Sequence, residues 1–334
     1  MLRVSFDELY QALYKAMLAL GIPEERAQRS ARLFAETTRD GVYTHGLNRF
    51  PRFSAMVKNG SIDVQATPTL AAAFGAIERW NGNRGIGNLN AQDAMTRAMA
   101  LAKKNGIAAV ALANTNHWMR GGAFGWQAAD EGMFAICWSN TLANLPAWGA
   151  KTPTVGNNPL VIAVPREGGN IVIDMAMSQF SMGSLSSYGK RGAPLPVPGG
   201  YDAEGNLTQD AKAIEESART LPIGYWKGSG LALVLDAIAT MLSGGMATHQ
   251  FSADPLMEVG QSQVFLVIDP SQLAAATELN HIADGVIESL AHATPIDPAK
   301  PVRYPGEQTL KLREENMRLG VPVDPEIWQQ LISA

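Results

Sequence analysis

The chain has 334 residues, 46% hydrophobic and only 17% charged against a typical charged share of about 25%; one large or two ordinary domains are expected, with enough surface removed from water to suggest an oligomer. Lys and Arg together number 27 against 31 Asp and Glu, net −4, without the basic surplus that a phosphate backbone requires, which sets nucleic acid aside as a partner. Cys137 stands alone, which excludes an intrachain disulfide and a thiolate-rich zinc site; Asp7 and Glu8 interrupt any signal peptide, and no apolar run approaches the ~20 residues of a membrane span, so a soluble, cytoplasmic protein is expected.

Ser5 and Glu8 have the spacing of a capping box, and Phe6, Leu9, Leu13 and Met17 recur at helical intervals until Gly21, which predicts a first helix. Pro23, read as a first-turn residue, opens a second helix with Ala27, Ala31, Phe34 and Ala35 on one side, running to about Arg39. A polar connector over 40–46 leads to a third helix over 47–58. From residue 69 the pattern changes. A strand at 70–74, a helix at 88–103, an apolar strand at 107–112, a short helix at 121–131 and a strand at 133–138 give a βαβ-like rhythm.

Residues 143–159, rich in Pro, Gly and Asn, read as loop, and strands follow at 160–164 and 171–173. Residues 189–210 carry Gly and Pro without a period and read as a long surface loop or lid-like excursion. A buried helix is expected at 230–243, a strand at 264–268, helix over most of 272–292, and two closing helices at 306–320 and 324–332. The predicted organisation is a helical portion from 1–65 and 300–334 around an α/β core at 66–299.

Two nucleotide motifs fail on spacing. Gly82-Asn83-Arg84-Gly85-Ile86-Gly87 puts its close glycine pair last and lacks the acid that a dinucleotide fingerprint needs about 20 residues on, so these glycines are expected to shape a strand-to-helix turn. Gly183 and Gly189 enclose five residues rather than the four of a P-loop, and Lys190 is followed by Arg191 instead of a hydroxyl. The histidines at 45, 117, 249, 281 and 292 include no pair at chelating helical spacing, and no metal is expected.

Thr44-His45-Gly46-Leu47-Asn48-Arg49 is more informative. It is read as a helix start, where free backbone amides, a positive dipole end and Arg49 would together attract a small carboxylate beside the imidazole. Both features lower the affinity of His45 for a proton, which a bound anion would have to restore. Asn114 to Gly122 follows an apolar strand, where open α/β sheets collect ligand-binding groups, although such a run is also ordinary turn chemistry. Lys227, Gly228 and Gly230 precede an apolar helix, so they would let a phosphate approach backbone amides; close helix packing explains the glycines equally well. Trp226 beside them has the flat face to stack on a ring, or the bulk to fill a core.

These segments, with Ile173-Asp174-Met175-Ala176-Met177-Ser178, occur in an order that resembles the malate/L-lactate dehydrogenase family, which lacks a Rossmann fold. The resemblance runs from Phe6 to about Trp328. Within that family, which also includes sulfolactate and ureidoglycolate dehydrogenases and cyclic-imine carboxylate reductases, residues 48–53, 116–122 and 224–230 look most like reductases of a diketo sugar acid. The resemblance implies an α/β fold peculiar to the family, a mixed sheet flanked by N- and C-terminal helices, with NAD(H) extended against a sheet and the active site completed in a homodimer.

By position, the resemblance implies cofactor contacts at Asn170, Ile171, Val172, Ile173, Asp174, Met175 and Ala176, at Trp226 and Lys227, and at Gly306, Glu307 and Gln308. It makes His45 the proton donor and puts Arg49 and His117 on the substrate side. Two departures stand out: Thr44 replaces a serine common before the histidine, and Ser184 follows Gly183 where many members have lysine, which weakens any transfer of malate or lactate specificity. The expected reaction is hydride transfer from NADH to C2 of a small keto acid. NADPH stays open, although Asp174 near a strand end leans towards NADH. The alternatives are the same chemistry on another 2-hydroxy or 2-keto acid or a cyclic-imine carboxylate, and a sugar-acid binding protein that uses Arg49 and the glycine loops without transfer.

Overall fold

The computed structural model describes residues 2–333. Strand β1 (Leu2–Val4) precedes α1 (Phe6–Ala19), where Ser5 accepts from the Glu8 amide while the Glu8 carboxylate accepts from the Ser5 amide, the expected reciprocal cap. Helix α2 (Glu24–Arg39) follows with Pro23 as its N-cap rather than inside its first turn. The chain then makes two 3-10 turns, Tyr43–His45 and Leu47–Arg49, before α3 (Phe50–Lys58).

The sheet begins with β2 (Thr69–Phe74) and β3 (Ile77–Asn81), continues through α4 (Gly87–Asn105), β4 (Ile107–Asn116), α5 (Gly122–Ala129) and β5 (Phe134–Ser139), and is interrupted by a hairpin of β6 (Ala143–Pro146) and β7 (Pro153–Gly156). That hairpin corrects the expected loop over 143–159: Pro and Gly mark its turn and irregular register without preventing the pairing. Strands β8 (Leu160–Val164) and β9 (Ile171–Met175) complete this half.

The predicted excursion at 189–210 is a small folded unit. Helix α6 (Met182–Arg191), a hairpin of β10 (Gly200–Tyr201) and β11 (Leu207–Thr208), and α7 (Ala211–Ser217) share a core of Leu185, Leu195, Ala211 and Ile214. The chain then runs through α8 (Trp226–Ser243), β12 (Val259–Ile268), α9 (Ala276–Ala291), α10 (Glu307–Leu319), β13 (Val321–Val323) and α11 (Pro325–Ile332). Strand β13 pairs antiparallel with β1, which ties the two ends of the chain together.

Among the described residues the main sheet has seven strands in the order β2-β3-β4-β12-β5-β8-β9. Strands β3 and β4 are parallel, and β12 lies antiparallel between β4 and β5. This is the mixed sheet with helices from both termini that the sequence led us to expect. One face packs Met95, Leu112, Trp118, Phe124 and Phe265 beneath α4 and α5. The terminal helices form a second core from Leu9, Leu13, Phe34, Phe53, Val321 and Leu331, into which Ile86, Leu89 and Met119 also project. The loops after β3 and β4 are therefore pinned at the junction of sheet and helical layer, because each contributes an apolar anchor to the helical side.

Helix α8 corrects the expectation of a buried helix. Ala232, Leu235 and Ala239 pack on the sheet, but Leu233, Val234 and Met241 are 61%, 49% and 77% exposed. Its apolar residues surround the helix, whereas a single chain covers only one side. No helix among the described residues is long and apolar enough to cross a membrane.

Candidate active site

A cleft of about 210 Å³ opens where the 3-10 turn after α2, the loop after β4 and the end of β9 meet; His45, His117, Arg120, Asp174, Ala176 and Ser181 are among its walls. The two histidine rings lie nearly parallel with centroids 5.8 Å apart. Two imidazolium ions so placed would repel each other, so the pair favours at most one proton in excess of neutrality.

His45 does not stand at a helix start. It ends the turn Tyr43–His45, and its amide and that of Gly46 both donate to the Val42 carbonyl, while Leu47 N–H donates to the Thr38 hydroxyl. These three amides are therefore spent within the protein and no α-helix begins at His45, which corrects the reading from the sequence: the 3-10 turn uses donors that the first turn of an α-helix would have left free. The ring is positioned by Thr44, whose Oγ1 lies 2.9 Å from His45 Nδ1. Thr44 is packed in turn against α6, where a Cβ on Gly183 would fall 2.3 Å from its methyl group. Burial, then the charges of Arg49 and Arg120, lower the His45 pKa to about 4.

His117 has a different job description. Its Nδ1 accepts from the Met119 amide at 3.0 Å, so the proton of the neutral ring sits on Nε2. Met119 reaches that position at φ +65°, a left-handed conformation that non-glycine residues rarely adopt. Burial, then Arg49, His45 and Arg52, push the His117 pKa well below its usual value. Gly87 permits the loop to sit where it does, because a Cβ there would meet the Asn116 and His117 carbonyl oxygens at 2.3 Å. The glycine run before α4 thus shapes a turn, as expected, and the turn supports the His117 loop.

The Arg49 charge reaches both histidines, and its guanidinium is held by Glu258 at 3.6 Å, while Arg52 takes the same carboxylate at 2.7 Å. Burial first, then Arg52, lowers the Arg49 pKa to about 10, with Glu258 opposing. Arg120 shares the cleft wall with His45. Its Nη1 donates to Asp40 Oδ2 at 2.7 Å, and Asp40 also accepts from Arg39 and twice from Arg313. Burial pushes the Asp40 carboxyl up, but the Arg313 bonds and the charges of Arg120 and Arg39 outweigh it and bring it down to about 2. The sequence reading quoted Arg120 only within a motif and missed Asp40, Glu258 and Ser181. Position 120 carried one signal, a cation next to a candidate loop, but its partner lies 80 positions away.

The proposed cofactor residues fall along one edge. Strand β9 borders the sheet, and Val172 N–H points outward to the Pro305 carbonyl at 3.0 Å; the two-residue period turns the backbone of Asp174 outward as well, towards the cleft. Gly306, at φ +100°, closes on this edge: a Cβ there would lie 3.1 Å from the Asn170 carbonyl and 3.2 Å from the Val172 amide. Glu307 and Gln308 follow at the start of α10, paired with Lys311 and Arg303 respectively.

At the other end, Ile223 N–H donates to the Met177 carbonyl and brings Trp226 and Lys227 beside the end of β9. Trp226 is 65% exposed, and the preceding Tyr225 is held at φ +61°. The amides of Lys227 and Gly228 are already spent on Gly224 and Ile223 carbonyls, and a Cβ on Gly228 would strike Ile223 oxygen at 2.4 Å. Close packing therefore accounts for Gly228, and what this segment can offer a ligand is the Trp226 ring and the Lys227 ammonium. A strand edge covered at Val172 and open at Asp174, between a flat ring and a glycine-lined bend, fits an extended dinucleotide. Asp174 Oδ2 accepts from Gly122 N–H at 2.8 Å; burial raises its pKa against the pull of Arg120 and that amide.

Residues 4–332 match the malate/L-lactate dehydrogenase family. The chain is similar to the 2,3-diketo-L-gulonate reductases of Citrobacter koseri and Klebsiella pneumoniae, each 44% identical over 330 residues that cover 99% of both chains. Among solved structures it is similar to a putative malate/lactate dehydrogenase from E. coli, with TM-score 0.91 and 26% identity over 99% of this chain and 94% of that one.

Proposed function

Since the chain belongs to the malate/L-lactate dehydrogenase family and is an oxidoreductase, we propose that it reduces 2,3-diketo-L-gulonate to 3-dehydro-L-gulonate with NADH, NADPH being the other candidate. The names of its 44% identical relatives support the substrate, and the edge of β9 described above supports a nicotinamide cofactor. A bound reduced nicotinamide supplies a hydride to C2.

The residues supply everything else. Arg49, incompletely neutralised by Glu258, takes the substrate carboxylate. His45 gives a proton to the C2 oxygen, so that the C=O bond becomes CH–OH; hydride and proton together balance the two-electron reduction, and solvent returns the proton to the ring. In its cationic form His45 can only donate through Nδ1, to Thr44 Oγ1, which leaves Nε2–H for the substrate oxygen. His117, fixed as the Nε2–H tautomer, supplies a second, neutral donor to the keto acid. The His45 ring between two cations has a depressed proton affinity, which the arriving carboxylate raises, so acid strength and substrate presence are coupled.

The observation that carries this reading is His45 in one cleft with a second, neutral imidazole and Arg120, with the Arg49 charge acting on both rings. Changing His45→Ala should lower kcat by about 10²–10⁴-fold, the usual worth of a general acid, while NADH affinity measured by fluorescence stays within twofold. Unchanged turnover would remove His45 from the chemistry. The exposed stripe of α8 (Leu233, Val234, Met241) supports a homodimer, for which sedentation in solution is the direct measurement: a monomer at micromolar concentration argues against it.

A further inference from the structure

Arg120 is one of the most enclosed charged side chains in the molecule, 6% exposed, and it forms part of the wall of the catalytic cleft. Its three nitrogens are in three different situations. Nη1 is bonded to Asp40, and Nε is buried without any partner. Nη2 has no protein acceptor among the described residues either, but it is not among the fully enclosed unpaired atoms, so it retains contact with the cleft. A guanidinium presents its donors in a rigid planar fork; pinning one end on Asp40 therefore fixes where the free donor points.

The surroundings compensate that charge only in part. Among the described residues Asp40 is the one carboxylate bonded to Arg120, and it divides itself between Arg39, Arg120 and Arg313. Asp174 shares the cleft, but it forms no ion pair with Arg120 within 4 Å and spends Oδ2 on Gly122 N–H. A buried cation with a free donor and a third of a counterion is a site waiting for an oxygen acceptor.

The substrate geometry says which oxygen. In a 2-keto acid, C2 bears its oxygen, the C1 carboxylate and C3. Arg49 acts on both histidines, whereas Arg120 acts on His45 and Asp174 and is not among the charges felt by His117. The two guanidinium groups are anchored separately around His45, Arg49 by Glu258 and Arg120 by Asp40 in the cleft wall. With the C2 oxygen at His45 and C1 at Arg49, the remaining substituent, C3, is the one left for Arg120, the guanidinium that shares the cleft wall with His45.

Building on the reductase reading above, we propose that Arg120 contacts the substrate, donating from Nη2 to the oxygen on C3, and thereby selects a 2,3-dicarbonyl acid over a simple 2-keto acid. Asp40 is the positioning residue of this contact, since it orients the fork without touching the substrate.

The test compares 2,3-diketo-L-gulonate with pyruvate, which has no oxygen on C3, in wild type, Arg120→Met and Arg120→Lys. The preference for the diketo acid, as a ratio of kcat/KM values, should fall about 10–100-fold in Arg120→Met, the worth of one charge-assisted hydrogen bond. Where pyruvate turns over too slowly, its inhibition constant against the diketo acid replaces its kcat/KM. In Arg120→Lys the charge is kept and the second donor of the fork is lost, so the preference should fall by a smaller factor at near-native Tm; this variant decides the matter should Arg120→Met not fold. A preference unmoved within twofold, whether both acids suffer equally or neither does, overturns the proposal. Wild type that prefers pyruvate overturns it too. Wild type that reduces neither acid with NADH or NADPH is a different failure, that of the reductase reading itself.

Discussion

Two carboxylates flank the cleft, and they treat their arginines differently. Asp40 binds Arg39, Arg120 and Arg313 through bonds of 2.7–3.0 Å that occupy both of its oxygens. Glu258 binds Arg52 at 2.7 Å but holds Arg49 only at 3.6 Å. The first arrangement is closed around its acid, and it joins α2, the His117 loop and α10, which are distant in sequence. The second leaves one guanidinium loosely paired and available. The contrast separates an anchored cation from a loosely held one: the Asp40 hub fixes the cleft wall and with it the direction of the Arg120 fork, whereas a cation with a slack partner can exchange it for a ligand at small cost.

Breaking the hub should have the largest effect. In Asp40→Asn three arginines lose their shared counterion, and removing one partner of a buried pair typically costs about 3–5 kcal/mol, read as a fall in urea midpoint and Tm. A loss below about 1 kcal/mol would mean that solvent, not Asp40, neutralises the cluster. Acid should act in the same direction. Because the folded carboxyl titrates near 2 and an ordinary aspartate near 3.9, the stabilisation from Asp40 is complete above pH 4 and is lost as pH falls through about 2.

Breaking the slack side should leave stability nearly alone and raise KM. Arg49→Met still leaves Glu258 bonded to Arg52 and to Gln261, so Tm should move far less than in Asp40→Asn. The KM for the keto acid should rise about 10–100-fold, the worth of a charge-assisted contact to a carboxylate, with a smaller change in kcat. A normal KM would show that the carboxylate binds elsewhere, and a large fall in Tm would erase the distinction between the two clusters.

The contrast also explains what could be read from the sequence. Helix α1 was legible because its signal is local: Ser5 and Glu8 cap each other across three residues. The candidate histidines were legible for the same reason, since each lies in a short, unusual segment. The environment of those histidines was not, because it is assembled from afar. Arg120 acquires its role from Asp40, Arg49 from Glu258, and His45 loses its supposed helix amides to Val42 and Thr38.

Parts of the fold were hidden for related reasons. Strand β3, Ile-Glu-Arg-Trp-Asn, has no apolar alternation to announce it, and its Glu78 is buried only because Arg97 and Trp80 satisfy it. Strands β1 and β13 are three residues each and exist through pairing across the whole length of the chain. Helix α8 was misread in the opposite direction, as buried, because a helix apolar on all sides looks the same in sequence whether a chain covers it on its own or leaves a face open.

The finest difference between the two sides of the cleft is a matter of one proton. In the free protein His45 titrates near 4, below the ordinary 6.5, so between those values the folded ring is neutral while the unfolded ring is charged, and stability falls as pH drops through that window. A carboxylate bound at Arg49 cancels part of the charge that depresses His45 and draws a proton onto it, whereas the neutral C3 oxygen assigned to Arg120 brings no charge and leaves that cation's effect on His45 in place. Binding of the keto acid at pH 6 should therefore take up a proton, approaching one per chain, measured by titration calorimetry in buffers of different ionisation enthalpy. His45→Ala should abolish the uptake, and Arg49→Met should weaken binding and uptake together. Binding that proceeds with the same heat in every buffer would mean that His45 enters the complex neutral, and the proton for the alcohol would then have to come from elsewhere.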